Sequence, residues 1–173
     1  MAQPNASIVL MPDAGPLITL AYADALDLLL APGWAVALPD MVVAELTRQQ
    51  TPTSRKLAQW LHSRQVATIA TRTFEHYLQA APAQRKTNLG ELAIQEIMNE
   101  LALAEPPRIG VFLFEDHKIA RASFLLPSNC RKVSTRAFLT FLEEKGLLAS
   151  AAEIERRAIL AGRAFSQLRF PPG

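Results

Sequence analysis

The alternation of short apolar runs with helical stretches is the feature of this sequence that most restricts its fold. Each run is followed by residues with helical periodicity before the next run begins. Such alternation indicates a parallel sheet with helices on both faces, and continuous apolar strands fit a sheet that is covered twice. Strands are predicted at 7–12, 34–39, 66–71, 110–114 and 131–134, and helices at 17–31 (in one or two pieces), 40–50, 54–63, 73–80, 89–104, 116–125, 137–148 and 151–165.

Composition narrows the class of protein without indicating an activity. The chain has 173 residues, half of them hydrophobic, which suits one domain with a sizeable core. Its net charge of +2 is too mild to indicate nucleic-acid binding on its own. The single cysteine, Cys130, predicts a reducing, cytoplasmic setting and a buried thiol. No signal peptide is predicted, and Asp24 and Asp27 argue against a membrane span at 17–31.

Acidic residues follow two of the predicted strands. Asp13 comes directly after the first strand, and Glu115 and Asp116 follow the fourth, which is the most hydrophobic. Because sites in open α/β sheets form beyond the carboxyl ends of the strands, we expect these acids at one edge of the sheet. Asp116 is preferred as the site residue because it begins the predicted helix. Glu115 is interpreted as an exposed acid at the strand end, with a site ligand as the alternative.

Two further acids lie on helices among apolar neighbours. Glu45 is flanked by apolar residues on the helix after the second strand. Glu91 shares the apolar face of the helix at 89–104, where Gly90 permits close approach of another chain segment. Glu96 and Glu100 are predicted on the opposite, solvated side of that helix. The apolar residues on the Glu91 face are Ile94, Met98 and Leu101.

Each acid also has an ordinary structural interpretation. Asp13 and Asp116 could cap helices, as Asp commonly does. Glu45 could reach solvent, and Glu91 could sit in a first turn because acids suit the helix dipole there. Each of these interpretations is the better one when its residue is taken singly. Together they are harder to accept, because four acids from four regions of the chain would reach one edge by accident.

Clustered carboxylates of this kind predict a metal site. They repel each other, and burial raises the cost of each charge further. A hard divalent cation, Mg²⁺ or Mn²⁺, relieves this because it prefers oxygen ligands and retains several waters. Such a cation suits phosphate binding and activation of a water. The residues therefore indicate metal-dependent hydrolysis of a phosphodiester bond.

Four motifs follow one another along the chain: DAGPLI at 13–18, LPDMVVAEL at 38–46, NLGELAI at 88–94 and VFLFEDHKIAR at 111–121. In this order they resemble the PIN domain, the nuclease fold of VapC-type toxins and related RNA-cleaving enzymes. Residues 133–148 are similar to the family's last strand and helix, so the similarity spans about residues 7–148. It implies a three-layer α/β/α sandwich with a central parallel sheet, with a nuclease domain at 1–148 and a helical extension at 149–173 packed on it.

The resemblance also implies roles for particular residues. Asp13, Glu45, Glu91 and Asp116 would be catalytic and would hold Mg²⁺ or Mn²⁺. Asp13 and Asp116 are expected to be direct ligands, and the two glutamates to act directly or through waters. The supporting residues are Glu115 as an alternative ligand, Ser134 or Thr135 as a hydrogen-bond donor to an acid, and Arg121 as a lock on a carboxylate.

The partners that the resemblance implies are an RNA substrate, an antitoxin protein and a second copy of the chain, in the cytoplasm and without a membrane. RNA contact requires positive charge around the acids. No aromatic-rich platform for RNA is visible in the sequence. The candidate cations, each better explained as ordinary surface when taken singly, are Lys118, Arg131 and Lys132, and the pairs Arg55–Lys56 and Arg85–Lys86.

Two other functions compete with a nuclease. A phospho-receiver-like signalling domain shares the parallel sheet, but its pattern has an acid pair after the first strand and an acceptor Asp after the third. Here the first strand ends in Asp13 alone and the third in Ala70-Thr71-Arg72, so this alternative is weak. A PIN-like binding or scaffold protein without catalysis is the second alternative. The presence of all four acids argues against it.

Overall fold

Five parallel strands form one sheet in the computed structural model, which describes residues 7–86, 89–115 and 126–163. The strands are β1 (Ser7–Pro12), β2 (Ala35–Pro39), β3 (Ala67–Ile69), β4 (Arg108–Phe114) and β5 (Cys130–Ser134). Their order across the sheet is β3-β2-β1-β4-β5, and every neighbouring pair is parallel. The predicted parallel sheet of about five strands is confirmed.

Helices cover both faces of this sheet. The α-helices of the described ranges are α1 (Ala14–Tyr22), α2 (Asp40–Thr47), α3 (Pro52–Arg64), α4 (Arg72–Gln79), α5 (Leu89–Ala102), α6 (Thr135–Glu144) and α7 (Ala151–Leu160), with short 3₁₀ helices at Leu26–Leu30 and Pro82–Gln84. One group, α2, α4 and α5, packs together against β2, β4 and β5, and a second group, α1, α6 and α7, packs against β1, β4 and β5. The three-layer α/β/α sandwich is therefore confirmed.

Strand β1 lies in the middle of the sheet, beside β4. Their register pairs Leu10 with Val111 and Pro12 with Leu113. Both strands are buried on both faces, as their continuous apolar sequences predict, and burial of this apolar surface is the main favourable term in folding. Because the two strands are parallel and in step, the residues that follow them leave the sheet side by side.

Several helices differ from their predicted bounds, and the stretch at 17–31 and the last helix differ most. The stretch at 17–31 forms two pieces, since α1 stops at Tyr22 and Asp24 adopts a left-handed conformation with φ of 51°. Helix α1 also begins at Ala14, because Pro16 lies in the first turn, where a missing N–H costs no helical hydrogen bond. The last helix ends at Leu160 instead of 165, and Gly162 follows it with φ of 110°. The helix predicted at 116–125 lies outside the described residues.

Glu96 is not the solvated surface acid that its position on α5 suggested. Its carboxylate accepts hydrogen bonds from the N–H groups of Arg72 and Thr73, at 2.7 and 3.1 Å, and from the Thr73 hydroxyl at 2.9 Å. It therefore caps the start of α4 from a different helix. Burial alone raises the pKa of Glu96, but these hydrogen bonds outweigh it, and the net pKa lies below the ordinary value.

A Glu96→Gln variant should be less stable at neutral pH by about 1 kcal/mol, because it loses the charge at the start of α4. A carboxyl with a lowered folded-state pKa stabilises the protein fully above its unfolded pKa and loses that contribution as the pH falls through the folded pKa. The difference in unfolding free energy between wild type and variant should therefore shrink in acid. Urea unfolding at pH 7 and at about pH 3 measures it. Glu100→Gln, at an exposed position of the same helix, is the control; a Glu96 deficit that stays constant with pH would contradict the expectation.

Helix α7 lies in the region outside the PIN-like similarity. It packs on α1 and α6, with Ile154 and Ala158 buried. The division of the chain into a domain at 1–148 and an extension at 149–173 stays a prediction.

Two expectations from composition concern Cys130 and the membrane. The Cys130 thiol is free and buried, as predicted, and burial raises its pKa. A buried thiol of this kind behaves as a small apolar side chain. Within the described ranges, every helix is too short or too polar to cross a membrane.

Candidate metal and nucleic-acid site

The carboxyl ends of β1 and β4 bring Asp13 and Glu115 to one edge of the sheet, which we call the site edge. The Asp13 N–H donates to the Leu113 carbonyl at 2.9 Å, which extends the ladder between the strands by one residue. Glu115 follows directly after the last residue of β4. Parallel strands in register thus deliver two acids to adjacent positions.

The Asp13 carboxylate does not cap α1. The residue occupies the N-cap position, with φ of −73° and ψ of 175°, but its side chain makes no capping hydrogen bond. It is nevertheless only 1% exposed. The carboxylate is thus held inside the protein at the end of β1. The structural interpretation of Asp13 as a helix cap is therefore wrong.

Glu45 links α2 to the start of α5. Its Oε1 accepts a hydrogen bond from the Gly90 N–H at 3.0 Å, across 45 residues of sequence. A Cβ atom on Gly90 would lie 2.9 Å from Glu45 Oε2 and 3.3 Å from Val42 Cγ2. Side chains of α2 thus lie close against Gly90, as predicted, and a Cβ atom there would have to displace the Glu45 carboxylate. The half-buried Glu45 is held at the helix start that also carries Glu91.

Glu91 lies in the first turn of α5 and is half-buried. The residues that share its face, Ile94, Met98 and Leu101, are buried as predicted. An acid at this position interacts favourably with the N-terminal end of the helix dipole. Glu45 and Glu91 therefore lie on neighbouring helices that are joined by one hydrogen bond, and their meeting with Asp13 stays a prediction.

The interpretation of Glu115 as an exposed strand-end acid is wrong. Glu115 is 2% exposed, and its Oε1 accepts a hydrogen bond from the Thr19 hydroxyl at 2.6 Å. A Cβ atom on Gly15 would lie 2.5 Å from Glu115 Cγ, so the backbone of α1 closes directly over this side chain. Gly15 and Thr19 are four residues apart and lie on one face of α1. They form the notch that receives Glu115.

A cation from the end of the described chain also faces Glu115. The Arg163 guanidinium lies 3.9 Å from Glu115 Oε1, and the Arg163 side chain is 21% exposed. The turn after α7 positions it, because the Arg163 N–H donates to the Ala158 carbonyl at 2.9 Å. Opposite charge and a hydroxyl donor together offset the cost of burying the Glu115 carboxylate. Sequence analysis missed Arg163, since 48 residues separate it from its partner.

Ser134 and Thr135 bond to the backbone. The Ser134 Oγ accepts from the Ala137 N–H at 3.0 Å and so caps α6. The Thr135 hydroxyl donates to the Phe114 carbonyl at 3.4 Å. Thr135 therefore acts on the end of β4 through its last carbonyl, one residue before Glu115.

The predicted RNA-contacting cations differ in how they are engaged. The Arg131 guanidinium donates to the carbonyls of Ser128 and Cys130, at 2.7 and 3.0 Å. Lys132 is half-buried on β5. Lys56 pairs with Asp24 at 2.7 Å on the surface. The remaining described candidates, Arg55, Arg85 and Lys86, are exposed.

Three predicted site residues, Asp116, Lys118 and Arg121, lie outside the described residues. Within 7–86, 89–115 and 126–163, no three side chains of His, Cys, Asp or Glu are grouped so that they could hold a metal ion. The described acids are all oxygen donors, which suits Mg²⁺ or Mn²⁺. The donor set is thus chemically appropriate, and the role of Asp116 in it stays a prediction.

A groove of about 450 Å³ opens between α1, α2 and α3 beside these acids. Glu45 and Arg163, the neighbour of Glu115, both line it. Ile18, Tyr22 and Arg48 also contribute to its walls.

Comparison with known proteins decides the fold. No protein-family model matches the sequence, and neither does any curated protein. Among solved structures, the chain is similar to the T. brucei RRP44 PIN domain, with a TM-score of 0.51 and 17% identity, over 83% of each chain. This chain has a PIN-domain fold. The predicted PIN fold is confirmed, whereas the likeness to VapC-type toxins stays a prediction.

Proposed function

We propose that this PIN-fold protein is a metal-dependent endoribonuclease that hydrolyses RNA phosphodiester bonds. The observation that carries the proposal is the Asp13 carboxylate, which is 1% exposed at the end of the central strand and does not cap the helix that it precedes. Asp13 lies at the carboxyl edge of a parallel sheet, which is where ligands of α/β proteins bind.

Asp13 and Asp116 would hold the Mg²⁺ or Mn²⁺ ion, with Glu45 and Glu91 contributing directly or through waters. When bound, the ion would stabilise charge on the scissile phosphate and lower the pKa of a bound water. The hydrogen bond from the Gly90 N–H fixes one oxygen of Glu45 and so orients its carboxylate at the start of α5. Glu91, one residue further along, extends the same acidic region.

Asp116 is a better candidate ligand than Glu115. The Glu115 carboxylate is buried beneath α1, bonded to Thr19 and close to Arg163. These contacts give it a structural task, which is to fasten the end of β4 to α1. In the proposed site, Glu115 therefore positions the chain, and the acid after it serves the cation.

Removing the metal tests the proposal. We expect structured RNA to be cleaved in Mg²⁺ or Mn²⁺, to remain intact in EDTA, and to be cleaved again when Mn²⁺ is added in excess. The products are resolved on a denaturing gel. Cleavage that persists in EDTA would show that the cation is not required. RNA that stays intact in both cations would point to the scaffold alternative.

That alternative, a PIN-fold binding protein without catalysis, has one observation in its favour. The described residues contain no group of three potential metal ligands. A scaffold needs neither a cation nor the charge of Asp13. It would bind its partner equally well with and without EDTA.

The finer proposal is that the protein is the toxin of a type II toxin–antitoxin pair. It rests on the order of the four motifs, which resembles that of VapC-type toxins. An antitoxin protein and a second copy of the chain are the partners that this role requires. Growth arrest on expression, relieved by the product of a short neighbouring reading frame, would support it.

A further inference from the structure

The turn after α7 brings the chain to the wall of the groove between α1, α2 and α3. Gly162 has φ of 110°, and a Cβ atom on it would lie 3.8 Å from Tyr22 Cε1. Arg163 follows and faces Glu115. Tyr22 and Arg163 both line the groove. The chain that continues beyond Arg163 therefore starts at the groove itself.

The groove offers apolar surface to whatever enters it. Its walls include Ile18 and Tyr22 from α1 and Leu46 from α2, and all three side chains are half-buried. Leu17 and Leu57, which also line it, are buried. Covering such a surface with other apolar side chains is favourable, because it removes apolar area from water.

Residues 164–173, which lie outside the described residues, have a composition that fits this groove. Their sequence is AFSQLRFPPG, so three of the ten are the large apolar residues Phe165, Leu168 and Phe170. The segment has one cation, Arg169, and no acid. Among the described residues that line the groove, Glu45 is the one acid. The segment therefore brings apolar side chains and no charge that Glu45 would repel.

The attachment at Arg163 places this segment within reach of the whole groove. Extended chain covers about 3.3 Å per residue, so residues 164–170 can span roughly 23 Å. Helices α2 and α3 both contact α1, and the axes of packed helices are about 8–10 Å apart. A segment tethered beside its binding surface has an effective concentration of roughly 1 mM, so weak contacts suffice to keep it bound.

We propose that residues 164–173 bind in the groove of their own molecule, with their large apolar side chains against α1 and α2. A segment from a second copy would have to displace one that is already present at about 1 mM. Because Glu45 lines the groove, the bound segment lies beside this acid and restricts the approach to it. The inference does not depend on the proposed ribonuclease function.

Binding of a separate peptide to the full chain tests the inference. The peptide has the sequence of residues 164–173 and carries fluorescein, and its binding is followed by anisotropy. The protein is either wild type or Phe165→Ser/Phe170→Ser, in which the attached segment has lost two of its large apolar side chains. The peptide should bind wild type at least about fivefold more weakly than the double variant, because the attached segment competes for the groove only in wild type.

A groove substitution, made in the double variant, locates the binding surface. Ile18→Gln should weaken peptide binding at least about threefold, because glutamine removes apolar surface from the groove wall. Leu92→Gln makes a comparable change at an exposed leucine of α5 and should have no effect. Glutamine is a good helix former, and circular dichroism checks that each protein is folded.

Three outcomes would overturn the inference. The first is a peptide that does not bind the double variant, or that binds it and wild type equally. The second is binding that Ile18→Gln weakens no more than Leu92→Gln does. The third is a wild-type protein that sediments as an oligomer and becomes monomeric in Phe165→Ser/Phe170→Ser, since the segment would then cross to a second copy. Because no RNA is present, each outcome is the same whether or not the protein cleaves RNA.

Discussion

The Asp13→Asn variant is expected to lose at least about a hundredfold in RNA cleavage rate while it keeps its fold. Asparagine has the same size as aspartate but carries no charge, so it binds a divalent cation much more weakly. The start of α1 does not depend on that charge, because the Asp13 side chain does not cap the helix. The thermal unfolding midpoint of the variant is measured beside its cleavage rate, and the rates are compared at a temperature at which both proteins are folded.

The matched control is Asp24→Asn. It makes the same chemical change at an exposed acid whose partner is Lys56, and surface pairs of this kind contribute little to stability. Its cleavage rate should equal that of wild type. If Asp13→Asn also cleaves at the wild-type rate in Mn²⁺, Asp13 has no role in the reaction, and the proposed site is in error.

The Thr19→Val variant is expected to be destabilised by about 2 kcal/mol at pH 7. The Thr19 hydroxyl donates a 2.6 Å hydrogen bond to the buried Glu115 carboxylate, and valine keeps the shape of threonine without that donor. A buried charge that loses a hydrogen bond pays part of its desolvation cost again. Valine and threonine have similar helix propensities, so α1 itself is little affected. Urea unfolding followed by circular dichroism measures the change.

Thr19→Ser is the control for this variant, because it retains the hydroxyl and removes only a methyl group. Its loss should be smaller, on the order of 1 kcal/mol or less for one buried methyl. A valine variant as stable as wild type would mean that the hydrogen bond to Glu115 contributes nothing measurable. In that case the structural role assigned to Glu115, and with it the preference for Asp116 as the ligand, would lose its support.

The sheet could be predicted because each strand has a local signal in the sequence. The segments that form β1 and β4 are continuous apolar runs, each followed by residues that predict the start of a helix. Such runs are buried whichever elements cover them. The position of Asp13 followed from the same reasoning, since parallel strands end at one edge. Ends of helices were less predictable, because Pro16 and Gly162 permit more than one boundary.

The interactions of single acids could not be predicted, because they depend on residues far away in sequence. Glu115 was expected to be exposed, but it enters a notch at Gly15 and Thr19, nearly 100 residues earlier. That notch has a weak local signal, a glycine and a hydroxyl on one face of a helix. Glu96 fits its own amphipathic pattern as a solvated residue, and only the packing of α4 on α5 brings it donors.

Calorimetric titration of Mn²⁺ into the wild-type protein and Asp116→Asn tests the central claim most directly. If Asp116 is a ligand, wild type should give a saturable binding isotherm, and the variant should bind Mn²⁺ at least about tenfold more weakly. The circular dichroism spectra of the two proteins should be the same. Equal Mn²⁺ binding by both proteins would contradict the choice of Asp116 over Glu115. A wild-type protein that binds no Mn²⁺ would contradict the metal-dependent nuclease altogether and leave a PIN fold that serves as a scaffold.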